Sequence, residues 1–165
     1  MKNIKVEKVT LNIGCGDDND KIEKAVKLLE ILTGKKPVIT KSKRRSTFGI
    51  PKDKPLATMV TLRGEEAVEF LKRALAAIEN KLKSSQFDKL GNFSFGIKEY
   101  IDIPGVRYSH DVGMLGFDIS VTVQRPGYRI KERRIQERKI SAKDRVNKEE
   151  AVEWMKKTFG VEISE

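Results

Sequence analysis

Apolar and polar side chains alternate without interruption over Phe117–Gln124. A period of two places successive side chains on opposite faces, which is the pattern of a β-strand with one buried and one solvated face. A second segment, Lys5–Ile13, alternates in the same way. Its polar side carries Lys8, Thr10 and Asn12. Strands of this kind occur mainly in antiparallel sheets, so the chain must build a sheet that buries one face only.

Three other segments carry apolar residues at helical spacing. We expect the first helix to be capped by Asp20, with Glu23 completing a capping box, and to end at Gly34. The second helix opens at Gly64 and ends at 83–85, and the third begins after Asn147 and ends at Gly160. The expected buried stripes are Ile22, Ala25, Val26, Leu29 and Leu32; Ala67, Val68, Leu71, Leu75, Ile78 and Leu82; and Ala151, Val152, Met155 and Phe159.

These elements predict an α+β fold. Helices pack on one face of a mostly antiparallel sheet, and the other face stays wet. We expect a single domain, 1–165, with room for a real core. A short strand is expected over Phe93–Ile97, and the phenylalanines around it are expected to be core residues rather than base-stacking ones.

The segment Gly34–Pro55 concentrates positive charge. It holds eight Lys/Arg against one Asp, a net of +7. Two β-branched runs, Val38–Thr40 and Leu56–Leu62, flank a basic loop, Lys41–Lys54. A long loop without structure of its own is uncommon unless it is functional. The alternative is that these charges are only a solvated surface.

A second basic block, the basic arm, spans 125–146. Arg125–Arg145 has nine Lys/Arg against three acids, a net of +6. Since the whole chain carries +10, the remaining residues sum to −3, and the positive charge is focused as expected for binding a polyphosphate. Ile130, Ile135 and Ile140 fit neither helix nor strand, so we expect an irregular arm that is partly packed. The alternative is a mobile surface loop.

Other classes of site find little support. Cys15 is the only cysteine, which excludes a disulfide framework and a Cys-based metal site. The turn at Gly14–Gly16 lacks the further residues of a phosphate loop, and the aspartates after it would repel phosphate. His110 beside Asp111 has no nucleophile nearby. No apolar run is long enough to cross a membrane and no signal peptide opens the chain, so we expect a cytoplasmic protein with no membrane partner, cofactor or metal.

Four ordered motifs resemble one known family. They are VEKVTLNIG at 6–14, TGKKPVIT at 33–40, VTLRG at 60–64 and GNFSFGIKE at 91–99. The chain is similar throughout to large-subunit ribosomal protein five, the 5S-rRNA-binding family. The basic arm resembles the archaeal and eukaryotic branch, because bacterial members lack it.

The resemblance implies a non-catalytic, structural constituent of the large ribosomal subunit. Such a protein binds 5S rRNA and helps to attach it in the central protuberance, among large-subunit rRNA and neighbouring large-subunit proteins. The implied rRNA-binding residues are Lys8, Thr10, Asn12, Lys35, Lys36, Thr40, Lys41, Thr61 and Arg63. The implied residues that contact P-site tRNA are Lys43, Arg44, Arg45 and Phe48. The arm adds Arg129, Lys131, Arg133, Arg134, Arg138 and Lys139. The side carrying Phe93–Glu99 would face a protein of the small-subunit head.

Two other classes remain open from the residues alone. One is an RNA chaperone or translation factor that binds structured RNA off the ribosome. The other is an RNA-processing enzyme that uses His110 with Asp111, for which turnover of labelled RNA would be the diagnostic observation.

Overall fold

The computed structural model describes residues 3–47 and 49–164. Five strands form a mostly antiparallel sheet in the order β2-β3-β1-β6-β5, and β4 pairs in parallel with β7. The predicted α+β class is confirmed. Along the chain the elements are β1 (Lys5–Gly14), α1 (Asn19–Thr33), β2 (Val38–Lys41), β3 (Pro55–Arg63), α2 (Glu65–Ala77), β4 (Lys81–Lys83), β5 (Phe93–Ile97), β6 (Phe117–Gln124), α3 (Lys148–Phe159) and β7 (Glu162–Ser164).

The backbone groups into two compact units, each assembled from separate chain segments. The first unit contains residues 3–9, 63–95 and 120–164, and the second contains 10–62 and 96–119. The basic loop therefore belongs to the second unit and the basic arm to the first.

In the second unit, α1 begins earlier than the capping pattern predicted. The carboxylate of Asp18 accepts the backbone N–H groups of Asp20 (3.1 Å) and Lys21 (3.3 Å), so Asp18 is the cap and the prediction of Asp20 was wrong. Asp18 has extended backbone angles, which a cap requires, whereas Asp20 already lies inside the helix. Gly34 ends the helix in the left-handed conformation, as predicted.

The buried face of α1 differs slightly from the predicted stripe. Leu28 is fully buried, although the stripe did not include it, and Val26 is only half-buried. The other predicted members are buried. With Leu11 and Ile13 of β1 they form the core of this unit.

In the first unit, α2 ends at Ala77 rather than at 83–85. Glu79 (φ 54°) and Asn80 (φ 55°) adopt left-handed conformations, which cannot continue a right-handed helix. Leu82, predicted to extend the helical stripe, is instead buried in β4, where it lies opposite Ile163 of β7.

The predicted stripes of α2 and α3 agree with the structure only in part, because four of their members are half-buried: Val68, Ile78, Val152 and Phe159. The predicted boundaries of α3 are confirmed. Asn147 and Glu150 form the capping box of α3, and Gly160 ends that helix. Phe87, Phe93 and Phe95 are buried, with ring centroids 5.1 Å and 6.4 Å apart along the series. The expectation that these rings are core is confirmed.

Candidate nucleic-acid interface

In the second unit, short polar side chains lie on the strand face opposite the core. Thr10 and Asn12 of β1 are half-buried, whereas their neighbours Leu11 and Ile13 are buried. Thr61 of β3 is likewise half-buried between buried residues. The alternation predicted from the sequence is therefore present, and these groups can be reached from solvent.

Thr40 of β2 is part of the same face but is already engaged. Register places it opposite Ala57, and its hydroxyl donates to the Ala57 carbonyl at 3.1 Å. Its oxygen can accept a further hydrogen bond, so the Thr40 hydroxyl could accept from a donor such as a ribose hydroxyl but has no proton left to donate to a phosphate.

The face also has an apolar margin that the sequence analysis did not single out. Val38 lies opposite Met59 in the β2–β3 register, and 63 % of its surface is exposed. Because β2 is the edge strand of its sheet, an apolar side chain there has no neighbour on one side. A ribose or base edge could cover it without the cost of desolvating a charge.

Three exposed lysines of the second unit lie just before β2 or at its end in the sequence. Lys35 and Lys36 follow the left-handed Gly34 and are exposed, and Lys41 at the end of β2 is exposed. Long flexible cations beside short hydroxyls and amides can meet phosphates while the short groups reach sugars.

The basic loop, Lys41–Lys54, has internal structure. At its base, the Ser42 N–H donates to the Lys54 carbonyl (2.8 Å) and the Asp53 N–H to the Ser42 carbonyl (2.9 Å). The Lys54 ammonium forms an ion pair with Asp17, in the turn that precedes α1. The turn between β1 and α1 therefore supports the base of the loop.

Further out, the loop presents its charges to solvent. Lys43, Arg44 and Arg45 are all exposed. Phe48, assigned with them to tRNA binding, lies outside the described residues. The Ser46 N–H donates to the Ile50 carbonyl at 2.9 Å, which joins the two sides of the loop near its tip.

Two of the residues predicted to bind rRNA, Lys8 and Arg63, belong to the first unit. Lys8 is half-buried on β1. Arg63 is 61 % exposed and its guanidinium lies 3.5 Å from the carboxylate of Glu7, whose side chain is only 8 % exposed. A phosphate at Arg63 would therefore share the guanidinium with Glu7, which would make its interaction with Arg63 weaker than the sequence alone indicates.

The basic arm of the first unit is irregular, as predicted, apart from two short 3-10 turns at Tyr128–Lys131 and Ala142–Asp144. Ile130 and Ile140 are half-buried, whereas Ile135 is 77 % exposed, so the arm packs at both ends and projects in the middle. All six predicted arm cations are exposed: Arg129, Lys131, Arg133, Arg134, Arg138 and Lys139.

Tyr128 fastens the two ends of the arm together. Its hydroxyl donates to the Asp144 carbonyl (3.0 Å) and accepts the Val146 N–H (2.8 Å). Near the middle, the Arg138 N–H donates to the Ile130 carbonyl at 3.1 Å. Sequence analysis missed this role of Tyr128. An aromatic residue with one hydroxyl at the start of a charged run was the available signal, since such rings usually pack at one end and hydrogen-bond at the other.

Arg125, counted within the arm's charge, has a structural role. Its side chain is 12 % exposed and donates to the Glu150 carboxylate at 2.6 Å, which also receives the Asn147 N–H. This arginine joins the end of β6 to the start of α3 and is not available to RNA.

The alternative catalytic pair is not supported by its surroundings. His110 and Asp111 are exposed in a loop. Within residues 3–47 and 49–164 no three His, Cys, Asp or Glu side chains are grouped closely enough to hold a metal ion. None of the helices in the same ranges combines the length and apolar character needed to span a bilayer.

Comparisons with known proteins agree with the motif resemblance. The family model of ribosomal protein L5 matches residues 1–50, and a second model, which describes the C-terminus of the same ribosomal family, matches residues 55–161. This chain belongs to the ribosomal protein L5 family.

Relatives in the L5 family match this chain over almost its whole length. The large ribosomal subunit protein uL5 of Methanosphaera stadtmanae is 52 % identical, over 96 % of this chain and 95 % of the relative. The uL5 proteins of Nanoarchaeum equitans (47 %, covering 99 % and 97 %) and Sulfurisphaera tokodaii (46 %, covering 100 % and 94 %) are similar. The family expected from the four motifs is confirmed, and archaeal proteins are among its relatives.

Membership of the L5 family also decides the question of catalysis. Its proteins are non-enzymatic, structural components of the ribosome, so the prediction that this chain is not an enzyme is confirmed.

Proposed function

We propose that this protein is a structural constituent of the large ribosomal subunit that binds 5S rRNA and helps to attach it in the central protuberance. The observation that carries the proposal is the set of half-buried Thr10, Asn12 and Thr61 on the solvent side of the strands, with exposed Lys35, Lys36 and Lys41 in the same unit. Neither the short polar side chains alone nor the lysines alone would bind RNA specifically.

The two kinds of side chain divide the work of recognition. Ammonium groups neutralise phosphates and release condensed counterions, which gives affinity without sequence information. Threonine hydroxyls and the asparagine amide reach ribose 2′-hydroxyls and base edges, which a shallow RNA minor groove exposes. Partial burial reduces the entropy lost when these short side chains are held in place.

The exposed loop tip has a different proposed partner. Lys43, Arg44 and Arg45 project beyond the hairpin-like base and would contact the backbone of P-site tRNA. Because the base is fixed by main-chain hydrogen bonds and by the Lys54–Asp17 ion pair, the cations can reach outward without the whole loop being disordered.

A contact with a protein of the small-subunit head would involve the side that carries Phe93–Glu99. Phe93, Phe95 and Ile97 are buried and cannot take part. Lys98 and Glu99 are exposed, so this contact would be polar and charged.

Binding assays on purified components test the proposal. The protein should protect 5S rRNA from hydroxyl-radical cleavage at a discrete set of riboses, and should sediment with the large subunit in a 5S-dependent manner. Protection of unrelated structured RNAs to the same extent, with no stable residence on the subunit, would support a free RNA chaperone or translation factor instead.

A further inference from the structure

Beneath the basic arm, the first unit contains a cavity of about 260 Å³ whose lining has no role in the proposed sheet-face contacts. Four apolar side chains line it. Ile140 and Val146 belong to the arm, Val123 belongs to β6, and Leu90 lies just before β5.

Two polar side chains, those of Asn92 and Thr122, also line the cavity. Asn92 is half-buried, and its side-chain oxygen accepts the Val123 N–H at 3.2 Å. That bond fixes the orientation of the amide and leaves its NH₂ group to donate elsewhere. Thr122 adds a half-buried hydroxyl from β6. The amide and the hydroxyl can hydrogen-bond to the edge of a nucleobase, and the apolar wall can contact its face.

Cations line the rim. Lys131, Lys139 and Arg145 are exposed and border the cavity, whereas no carboxylate is among the described residues that line it. One acid is close, because Glu132 lies 3.8 Å from the Lys131 ammonium. The rim therefore keeps a net positive charge, which complements a phosphate attached to whatever enters the cavity.

The cavity is held open by the arm's own hydrogen bonds. Tyr128, which also lines it, bonds Asp144 and Val146 through its hydroxyl, so its ring is fixed in place. The Lys131 ammonium lies 5.2 Å from the centre of this ring. A preformed site loses less free energy on binding than one that must be ordered by its ligand.

We infer that this cavity binds a single unstacked nucleotide of RNA, with the base against the apolar wall and Asn92 and the phosphate on the cationic rim. Its volume lies just below the roughly 300–1,000 Å³ of sites for drug-sized ligands, which suits one base and its sugar rather than a dinucleotide. The inference deepens the proposed function, because it adds a base-reading subsite to a protein that otherwise grips sugars and phosphates.

Adenosine 5′-monophosphate is the probe, titrated into the isotopically labelled full-length protein and followed by NMR. The expected shifts are confined to the Asn92 side-chain amide and to the backbone amides of Val123 and Val146. Thr122→Phe should fill the cavity and weaken binding by about tenfold or more, equivalent to ~1.4 kcal/mol. Ser120→Phe is the matched control, since Ser120 is exposed on the same face of β6 but does not line the cavity.

A second pair of variants changes only exposed side chains. Lys139→Ala should weaken binding about fivefold, as expected for one charge-assisted hydrogen bond. Lys143→Ala removes the same charge from another exposed lysine of the arm that does not line the cavity, and it should leave binding within about twofold. Equal effects of the two variants would show a diffuse electrostatic attraction and overturn the inference.

Two further ligands separate the alternatives. Ribose 5-phosphate binding as tightly as the nucleotide would mean that no base is read, which contradicts the inference. N-acetylphenylalanine amide shifting the cavity residues while the nucleotide does not would identify a protein side chain as the occupant, with the same consequence. Filter binding of 5S rRNA, measured in parallel, tests the proposed function separately: if the unmodified protein bound 5S rRNA but not adenosine 5′-monophosphate, only the subsite would be refuted.

Discussion

The hydroxyl of Tyr128 accepts the N–H of Val146 at 2.8 Å, across 18 residues of the basic arm. The same hydroxyl donates to the Asp144 carbonyl, so one atom closes the arm into a loop. This closure holds the two ends of the charged segment next to each other.

Replacing Tyr128 with Phe should therefore loosen the arm. The ring still packs, but two hydrogen bonds are lost and the Val146 N–H is left without its partner, at a cost of about 1–3 kcal/mol. Hydrogen exchange at the Val146 amide should accelerate, and urea unfolding should shift to lower concentration. Tyr108→Phe is the control, because Tyr108 is 54 % exposed. Unchanged exchange at Val146 would show that the hydroxyl does not hold the arm.

Gly91 lies directly under the end of the arm. A Cβ there would be 2.8 Å from Val146 Cγ1 and 2.9 Å from Ala151 Cβ, and φ is +76°. Gly91→Ala should lower the free energy of unfolding by ~2–4 kcal/mol, since strain and overpacking add. Gly105→Ala isolates the strain: φ there is +85°, but no atom lies within 4 Å of the added Cβ. Equal losses for the two variants in chemical denaturation would contradict the predicted clash.

Thr58 is a buried polar residue in the core of the second unit, and among the described residues its hydroxyl has no hydrogen bond of normal geometry. The Cys15 thiol beside it is a weak partner. Burial raises the pKa of this thiol, and the Thr58 hydroxyl partly opposes the rise. Thr58→Val keeps the shape and removes the poorly satisfied group, so stability should be unchanged or increase by about 1 kcal/mol.

Thr33→Val provides the contrast for that substitution. The Thr33 hydroxyl donates to the Leu29 carbonyl at 2.6 Å and accepts the Lys35 N–H, so the same change should destabilise the protein by ~1 kcal/mol. Melting temperatures measured by calorimetry decide between these outcomes. A clear loss of stability in Thr58→Val would mean that the hydroxyl is satisfied in solution.

Salt should affect RNA binding strongly. With about six to ten phosphate contacts to 5S rRNA, the slope of log K against log salt should be roughly −5 to −9. A nearly flat slope would contradict the claim that phosphate contacts supply the affinity.

If the loop tip faces tRNA, Lys43→Ala and Arg44→Ala should each reduce 5S rRNA affinity less than substitution of Lys35 or Lys41 does.

The regular elements were predictable because their burial is periodic. The alternation in β1 and β6 and the stripes of α1 and α3 are visible in the sequence, and the structure contains all four. These patterns reflect one buried and one solvated face, which any packing of the sheet must respect.

The predictions fail where the backbone conformation of one or two residues determines where an element ends. Glu79 and Asn80 end α2 in left-handed conformations without a glycine to announce it, so the apolar Leu82 was assigned to the helix instead of to β4. The β4–β7 pair joins segments about eighty residues apart, and no local pattern indicates such pairing.

The candidate site was predictable in kind rather than in detail. Charge segregation located the basic loop and the basic arm, but it could not distinguish Arg125, which is paired with Glu150, from the exposed arginines after it. Nor could it show that Arg63 shares its charge with Glu7. Ion pairing depends on tertiary neighbours, which a count of charges does not contain.

The central claim is that the short polar groups on the solvent side of β1 and β3 grip RNA. Its most direct test is filter binding of 5S rRNA to the double variant Asn12→Ala and Thr61→Ala, compared with Asn3→Ala and Thr158→Ala, which remove the same groups from exposed positions elsewhere. The account predicts that the first pair loses binding by about a hundredfold, since two hydrogen bonds contribute ~1.5 kcal/mol each, while the second pair binds as the unmodified protein does. Equal affinity of all three proteins for 5S rRNA would contradict it.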